Sequence, residues 1–161
     1  MTIEVGAKLP EATLLRMGET GAEPVSLAER LKGRKVVIFG LPGAFTGTCS
    51  TAHVPSFIRT ATGFAEKGVD EIICISVNDP FVMQAWGAAS GAAAAGLTML
   101  GDADASFTRA IGMTFDLPAL GLHARSRRYS ALVEDGVVTR FNPEPGPGCA
   151  ISAGEYLLAQ I

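Results

Sequence analysis

Cys49 sits in the stretch "LPGAFTGTCSTAHVP", Leu41 to Pro55, where a strand-like run gives way to a helical one and hydroxyl residues crowd in. A cysteine attacks as its thiolate, and an ordinary one is only about 3% ionised at pH 7. Bringing a cysteine's pKa from ~8.5 to ~6 needs roughly 3.4 kcal/mol of preference for the anion. Unpaired N–H groups at a helix start supply up to about 2 kcal/mol of that. A cation is therefore required, and "HARSRR" (His123 to Arg128) offers Arg125, Arg127 and Arg128. Most of that segment reads as a solvated loop. Cys49 and His53, one helical turn apart, have no further ligand pair nearby in sequence, so the spacing does not predict a metal centre.

The elements around Cys49 follow from the hydrophobic pattern. "KVVIFG" (Lys35 to Gly40) and "EIICISV" (Glu71 to Val77) read as buried central strands. Between them a helix is expected from about Thr48, with Val54, Phe57, Ile58, Ala61 and Phe64 on one face. Pro55 inside it cannot donate to the carbonyl at position 51, which predicts a weakly attached first turn. "FVMQAWGAA" predicts a helix, Leu97 to Leu100 a third strand, and Ala103 to Ile111 another helix. Tyr129 to Phe141 reads as a hairpin turning at Asp135-Gly136. A last helix should be capped by Ser152, after an irregular loop, "NPEPGPG". This order predicts an α/β chain with a thioredoxin-like fold, a central mixed sheet flanked by helices, and one domain over residues 1–161. The long N-terminal segment exceeds the minimal arrangement.

Composition narrows the function. A net charge of −3 argues against nucleic-acid binding. Pro80 to Gly101 carries no charge, but its proline, alanines and glycines gain too little from lipid to predict a span. With no basic start leading into an apolar stretch, the reading is a cytoplasmic protein. Three cysteines, Cys49, Cys74 and Cys149, without a C-x-x-C pair suggest neither a dithiol nor a zinc knuckle. A buried inert Cys49, a Cys49–His53 hydrolase, and a non-catalytic partner-binding or redox-sensing domain remain alternatives on these grounds.

P-x-x-x-T-x-x-C, here Pro42, Thr46 and Cys49, resembles the active-site loop of the peroxiredoxins. "FGLPGAFTGTCSTAHVPSF", "VDEIICISVNDPFVMQAWG", "SRRYSALVEDGVV" and "VGAKLPEATL" resemble the type II, or peroxiredoxin-5, subfamily, across nearly the whole chain. The resemblance implies a thiol peroxidase for hydrogen peroxide and organic hydroperoxides, with no cofactor or metal. Cys49 would be the peroxidatic cysteine, becoming a sulfenic acid. Thr46 would hydrogen-bond thiolate and peroxide, Arg128 would stabilise the thiolate and the breaking O–O bond, and Pro42 would shield the pocket. His53 would pack beside it. Gly47 stands where the family usually has proline, which loosens the loop.

The same resemblance leaves the reductant open. Cys74 matches the second cysteine of plant-like members, and Cys149 lies near the resolving position of vertebrate-like ones; either would make a two-cysteine enzyme recycled by thioredoxin. The preferred reading is an external thiol, glutathione or glutaredoxin. A homodimer is implied as well, with contacts through Phe45 and the loop Asn78 to Phe81.

Overall fold

The computed structural model describes residues 1–161. The chain begins with a hairpin, β1 (Thr13–Gly18) and β2 (Gly21–Ser26), and a short helix α1 (Leu27–Leu31). Strand β3 (Lys35–Gly40) leads through the Cys49 loop to a π-helical turn, Cys49–His53, and helix α2 (Val54–Glu66). Then come β4 (Glu71–Ser76), α3 (Pro80–Ser90), β5 (Thr98–Gly101) and α4 (Ser106–Ala110). A two-stranded excursion, β6 (Thr114–Leu117) and β7 (Leu122–Ser126), precedes β8 (Tyr129–Glu134), β9 (Val137–Pro143) and α5 (Gly154–Ala159).

Seven strands form one mixed sheet in the order β2-β1-β5-β4-β3-β8-β9, with β3, β4 and β5 parallel and β8 antiparallel to β3. This is the thioredoxin-like arrangement. The centre is apolar on both faces because strand residues alternate between them. Val36, Ile38, Ile73 and Ile75 pack under α1 and α4, against Leu27, Leu31 and Phe107. Val37, Phe39, Ile72 and Cys74 face the other way, against Phe57 and Phe64 of α2, Met83 and Trp86 of α3, and Leu157 of α5. Fully burying a side chain such as Phe57 contributes about 2–3 kcal/mol. Cys49 belongs to this second layer, so it and Cys74 share one face of the sheet.

The helix expected from Thr48 starts differently. Residues Cys49 to His53 take a π turn, in which the Val54 N–H donates to the Cys49 carbonyl five residues back, and regular α-helix begins at Val54. Pro55 accounts for this: without an N–H it cannot continue the ordinary ladder, and one widened turn absorbs the fault. Gly40, at the end of β3, permits another close approach. A Cβ there would lie 2.3 Å from the Tyr129 ring.

Other expectations need correction. The long N-terminal segment contains a hairpin, β1–β2, hidden in sequence because Pro24 interrupts β2; an edge strand tolerates it. "HARSRR" is largely strand β7, paired with β6, and Arg128 is buried. Ser152 does not cap α5, whose N-cap is Ala153; the Ser152 hydroxyl donates to Glu144 instead. The hairpin turn at Asp135-Gly136 does form, with φ of 49° and 80°.

Candidate active site

The loop between β3 and the π turn is held from several sides. The Asn78 side-chain oxygen accepts the Ala44 N–H at 3.0 Å, and Arg125 donates to the Pro42 carbonyl at 3.0 Å. The indole N–H of Trp86 donates to the Ser50 hydroxyl at 3.0 Å, pinning the π turn to α3. Cys49 is thereby fixed at the head of the turn with its side chain fully buried.

Of the three candidate arginines, one reaches the sulfur. Arg128 Nη2–H donates to Cys49 Sγ at 3.4 Å, while Arg125 serves the loop and Arg127 donates to the Gly112 carbonyl at 3.0 Å. Both partners of the Arg128–Cys49 contact are buried, so little water separates guanidinium and sulfur. The Thr46 hydroxyl donates to the Gly43 carbonyl at 2.7 Å. Pro42, Thr46 and Arg128 line a cleft of about 480 Å³. It is lined as well by the apolar Phe115, Leu117, Leu120 and Leu122 of the β6–β7 excursion and by Gly146 to Gly148.

His53 does more than pack. Its Nε2 lies 3.0 Å from the Ser152 carbonyl and its Nδ1 3.1 Å from Arg128 Nη1. A carbonyl only accepts and a guanidinium only donates, so the ring is neutral with its hydrogen on Nε2. Burial, and then the Arg128 charge, press its pKa down to about 3. Nδ1 is thus engaged by Arg128, which leaves no free nitrogen to deprotonate Cys49 as the hydrolase alternative requires. Sequence pointed to His53 through its spacing from Cys49 and through the resemblance, but not to its partner, which lies 75 residues on.

The neutral His53 has a measurable consequence. Its folded pKa lies below the unfolded value of about 6.5, so between these values the unfolded chain binds more protons. The stabilisation is fully present above pH 6.5 and is lost as pH falls toward 3, at up to about 1.4 kcal/mol per pH unit. Denaturant unfolding from pH 7 to pH 5 should show this fall, and His53→Gln should flatten it. An equal slope in the folded variant would assign the loss to other groups.

The other thiols differ from Cys49. Cys74, fully buried in β4, has its pKa pushed well up by burial, with Cys49 adding to the effect. Cys149, half-buried in the loop after β9, is also pushed up, chiefly by burial. None of the three cysteines is in a disulfide.

A family model described as Redoxin matches residues 4–158. The chain is similar to peroxiredoxin-2E-2, chloroplastic, of Oryza sativa subsp. japonica, at 47% identity over 164 residues covering 99% of this chain and 73% of that protein. It is 46% identical over 136 residues to peroxiredoxin-2F, mitochondrial, of Arabidopsis thaliana, covering 84% of this chain and 67% of that one. The solved structure of reduced Prx3 in complex with H2O2 from Vibrio vulnificus superposes with a TM-score of 0.94 at 43% identity, covering 99% of both chains. The two plant relatives and two further plant matches are chloroplastic or mitochondrial proteins, which overturns the cytoplasmic expectation.

Proposed function

Since the chain belongs to the redoxin family and is a type II peroxiredoxin, a thiol peroxidase, we propose that Cys49 is its peroxidatic cysteine and Arg128 the cation that activates it. The observation that carries this reading is the buried Arg128 guanidinium 3.4 Å from the Cys49 sulfur. The thiolate attacks the terminal oxygen of a hydroperoxide, forming an S–O bond as the O–O bond breaks. Cys49 becomes a sulfenic acid, and the departing alkoxide or hydroxide takes a proton from solvent to leave as alcohol or water. Arg128 stabilises the thiolate beforehand and the charge that develops on the oxygens.

Thr46 takes a role that its geometry favours. With its hydrogen directed to Gly43, the hydroxyl presents lone pairs, so it accepts the O–H of the incoming peroxide and aligns it. Pro42 contributes an apolar rim that excludes water. The wall of Phe115, Leu117, Leu120 and Leu122 suits the organic part of a larger hydroperoxide, so hydrogen peroxide and organic hydroperoxides are both substrates in this reading. The 161 residues act as one domain. A homodimer would cover Phe45 and Phe81, which are 57% and 65% exposed beside the site.

The reductant in this reading is glutathione or glutaredoxin. An external thiol attacks the sulfenic sulfur and releases water, leaving a mixed disulfide; a second thiol then exchanges with it and frees Cys49. Two features support external resolution: burial pushes the pKa of Cys74 and Cys149 up, and Cys74 lies in a strand paired on both sides. Joining Cys74 to Cys49 would require Cα atoms within about 7 Å and Cβ vectors that face each other. Cys74→Ser, Cys149→Ser and the double variant should therefore keep glutathione- or glutaredoxin-supported turnover in a coupled peroxidase assay. A dominant Cys49–Cys74 or Cys49–Cys149 disulfide, with turnover lost in the matching variant, would instead make this a two-cysteine enzyme served by thioredoxin.

A further inference from the structure

Building on the peroxidase reading above, we infer that Glu144 is a positioning residue for the site, acting through Ser152 and His53 on Arg128. The chain of contacts begins in the loop after β9. Glu144 Oε2 accepts the Ala150 N–H at 3.0 Å, the Ser152 N–H at 3.0 Å and the Ser152 hydroxyl at 2.6 Å. Three donors on one oxygen draw residues 150–152 into a closed turn. The Glu144 N–H itself donates to the Arg128 carbonyl at 2.8 Å, so the same residue grips both ends of the arrangement. Burial works against the carboxylate's charge, yet the Ser152 hydroxyl and the loop N–H groups outweigh it and hold the carboxyl below its ordinary range.

The consequence passes along the chain of hydrogen bonds. With the turn closed, the Ser152 carbonyl meets His53 Nε2 at 3.0 Å. A carbonyl has no hydrogen to give, so this contact selects the Nε2–H tautomer and leaves Nδ1 bare. Nδ1 then accepts Arg128 Nη1–H at 3.1 Å, and the other guanidinium nitrogen is left directed at Cys49. The charged groups acting on His53 are Arg128 and Glu144, and Phe39 and Phe57 pack against its ring. Without Glu144, the Ser152 carbonyl is held only through the bonds of Ala153 and Gly154 that follow it, after a loop rich in glycine and proline. The imidazole is then free to turn or change tautomer, and Arg128 loses an anchor. Neither Glu144 nor Ser152 touches the sulfur; both act through His53.

The test compares Glu144→Ala and Glu144→Gln with Glu155→Gln, an exposed glutamate paired with Arg59 at the surface. Three quantities are read: the rate of reduced Cys49 with hydrogen peroxide, the pH profile of its alkylation by iodoacetamide, and the His53 tautomer from a long-range 1H–15N spectrum. Glu144→Ala should slow the peroxide reaction about tenfold, the size of one lost buried hydrogen bond. It should also move the alkylation profile to higher pH and remove the pure Nε2–H pattern. Glutamine, which keeps an accepting oxygen, should restore most of each, and Glu155→Gln should change none. A folded Glu144→Ala with wild-type rate, profile and tautomer overturns the inference. If Glu144→Ala does not fold, Ser152→Ala, which deletes one donor and keeps the carbonyl, should show an intermediate slowing; no change there overturns it equally. A wild type no faster than free cysteine would defeat the peroxidase reading instead, and the tautomer of the Glu144 variants would still decide the positioning role.

Discussion

Cys49→Ser is expected to abolish peroxide turnover while the protein stays folded. The substitution keeps the shape of a fully buried side chain and exchanges sulfur for an oxygen that does not ionise near neutral pH. A serine hydroxyl cannot form the sulfenic acid through which the oxygen is passed to the reductant. The fold should tolerate the exchange, because the new hydroxyl finds the Arg128 donor where the sulfur stood, which offsets part of the roughly 1–3 kcal/mol that burying it costs. Peroxide consumption with glutathione and glutaredoxin, measured beside circular dichroism and a denaturant midpoint, reads both halves. Turnover surviving in the purified variant would move the chemistry to another group.

Arg128 has the next largest effect. Arg128→Gln removes a buried positive charge from a sulfur 3.4 Å away and from the space where oxygen charge develops. Loss of one such preorganised donor costs about 10²–10³ in rate, and the alkylation profile of Cys49 should move to higher pH in the same variant. Arg128→Lys should recover little, since one ammonium cannot hold His53 Nδ1 and Cys49 Sγ with separate nitrogens as the fork does. Arg127→Gln should remain near wild type, its partner being the Gly112 carbonyl. Arg125→Gln should act more weakly than Arg128→Gln, through the Pro42 carbonyl it holds. Rates and pH profiles for all three positions test this. An Arg128→Gln enzyme with a wild-type profile would assign activation elsewhere.

What the sequence made legible is what neighbouring residues decide. β3 and β4 stand out as β-branched apolar runs because both faces of a central strand are buried, and Asp135-Gly136 announces its turn through backbone preference alone. Cys49 could be placed at a helix start for the same reason. The π turn was harder: Pro55 signals a fault in the ladder, but the chain chose to widen a turn rather than fray it, and tertiary contacts such as Trp86 to Ser50 help to hold that choice. Beyond the Arg128–Cys49 pair that the resemblance implied, long-range pairing was not legible. Nothing local marks that Arg128 would meet His53, or that Glu144 would gather Ser152 away from its apparent capping role. The basic run 123–128 read as solvated because charge predicts exposure on average. Arg128 is buried because the sulfur, the imidazole and the loop all meet it there.

In the proposed reaction a single oxygen passes from peroxide to Cys49, driven by a thiolate that Arg128 would stabilise. Rapid mixing of fully reduced protein with one equivalent of hydrogen peroxide, without any reductant, isolates that event. Quenched samples read by mass spectrometry with a sulfenic-acid trap report its rate and position. The predicted result is one oxygen gained at Cys49, orders of magnitude faster than free cysteine under the same conditions and markedly slower in Arg128→Gln. Oxidation no faster than free cysteine, or oxygen appearing first at Cys74 or Cys149, would contradict it.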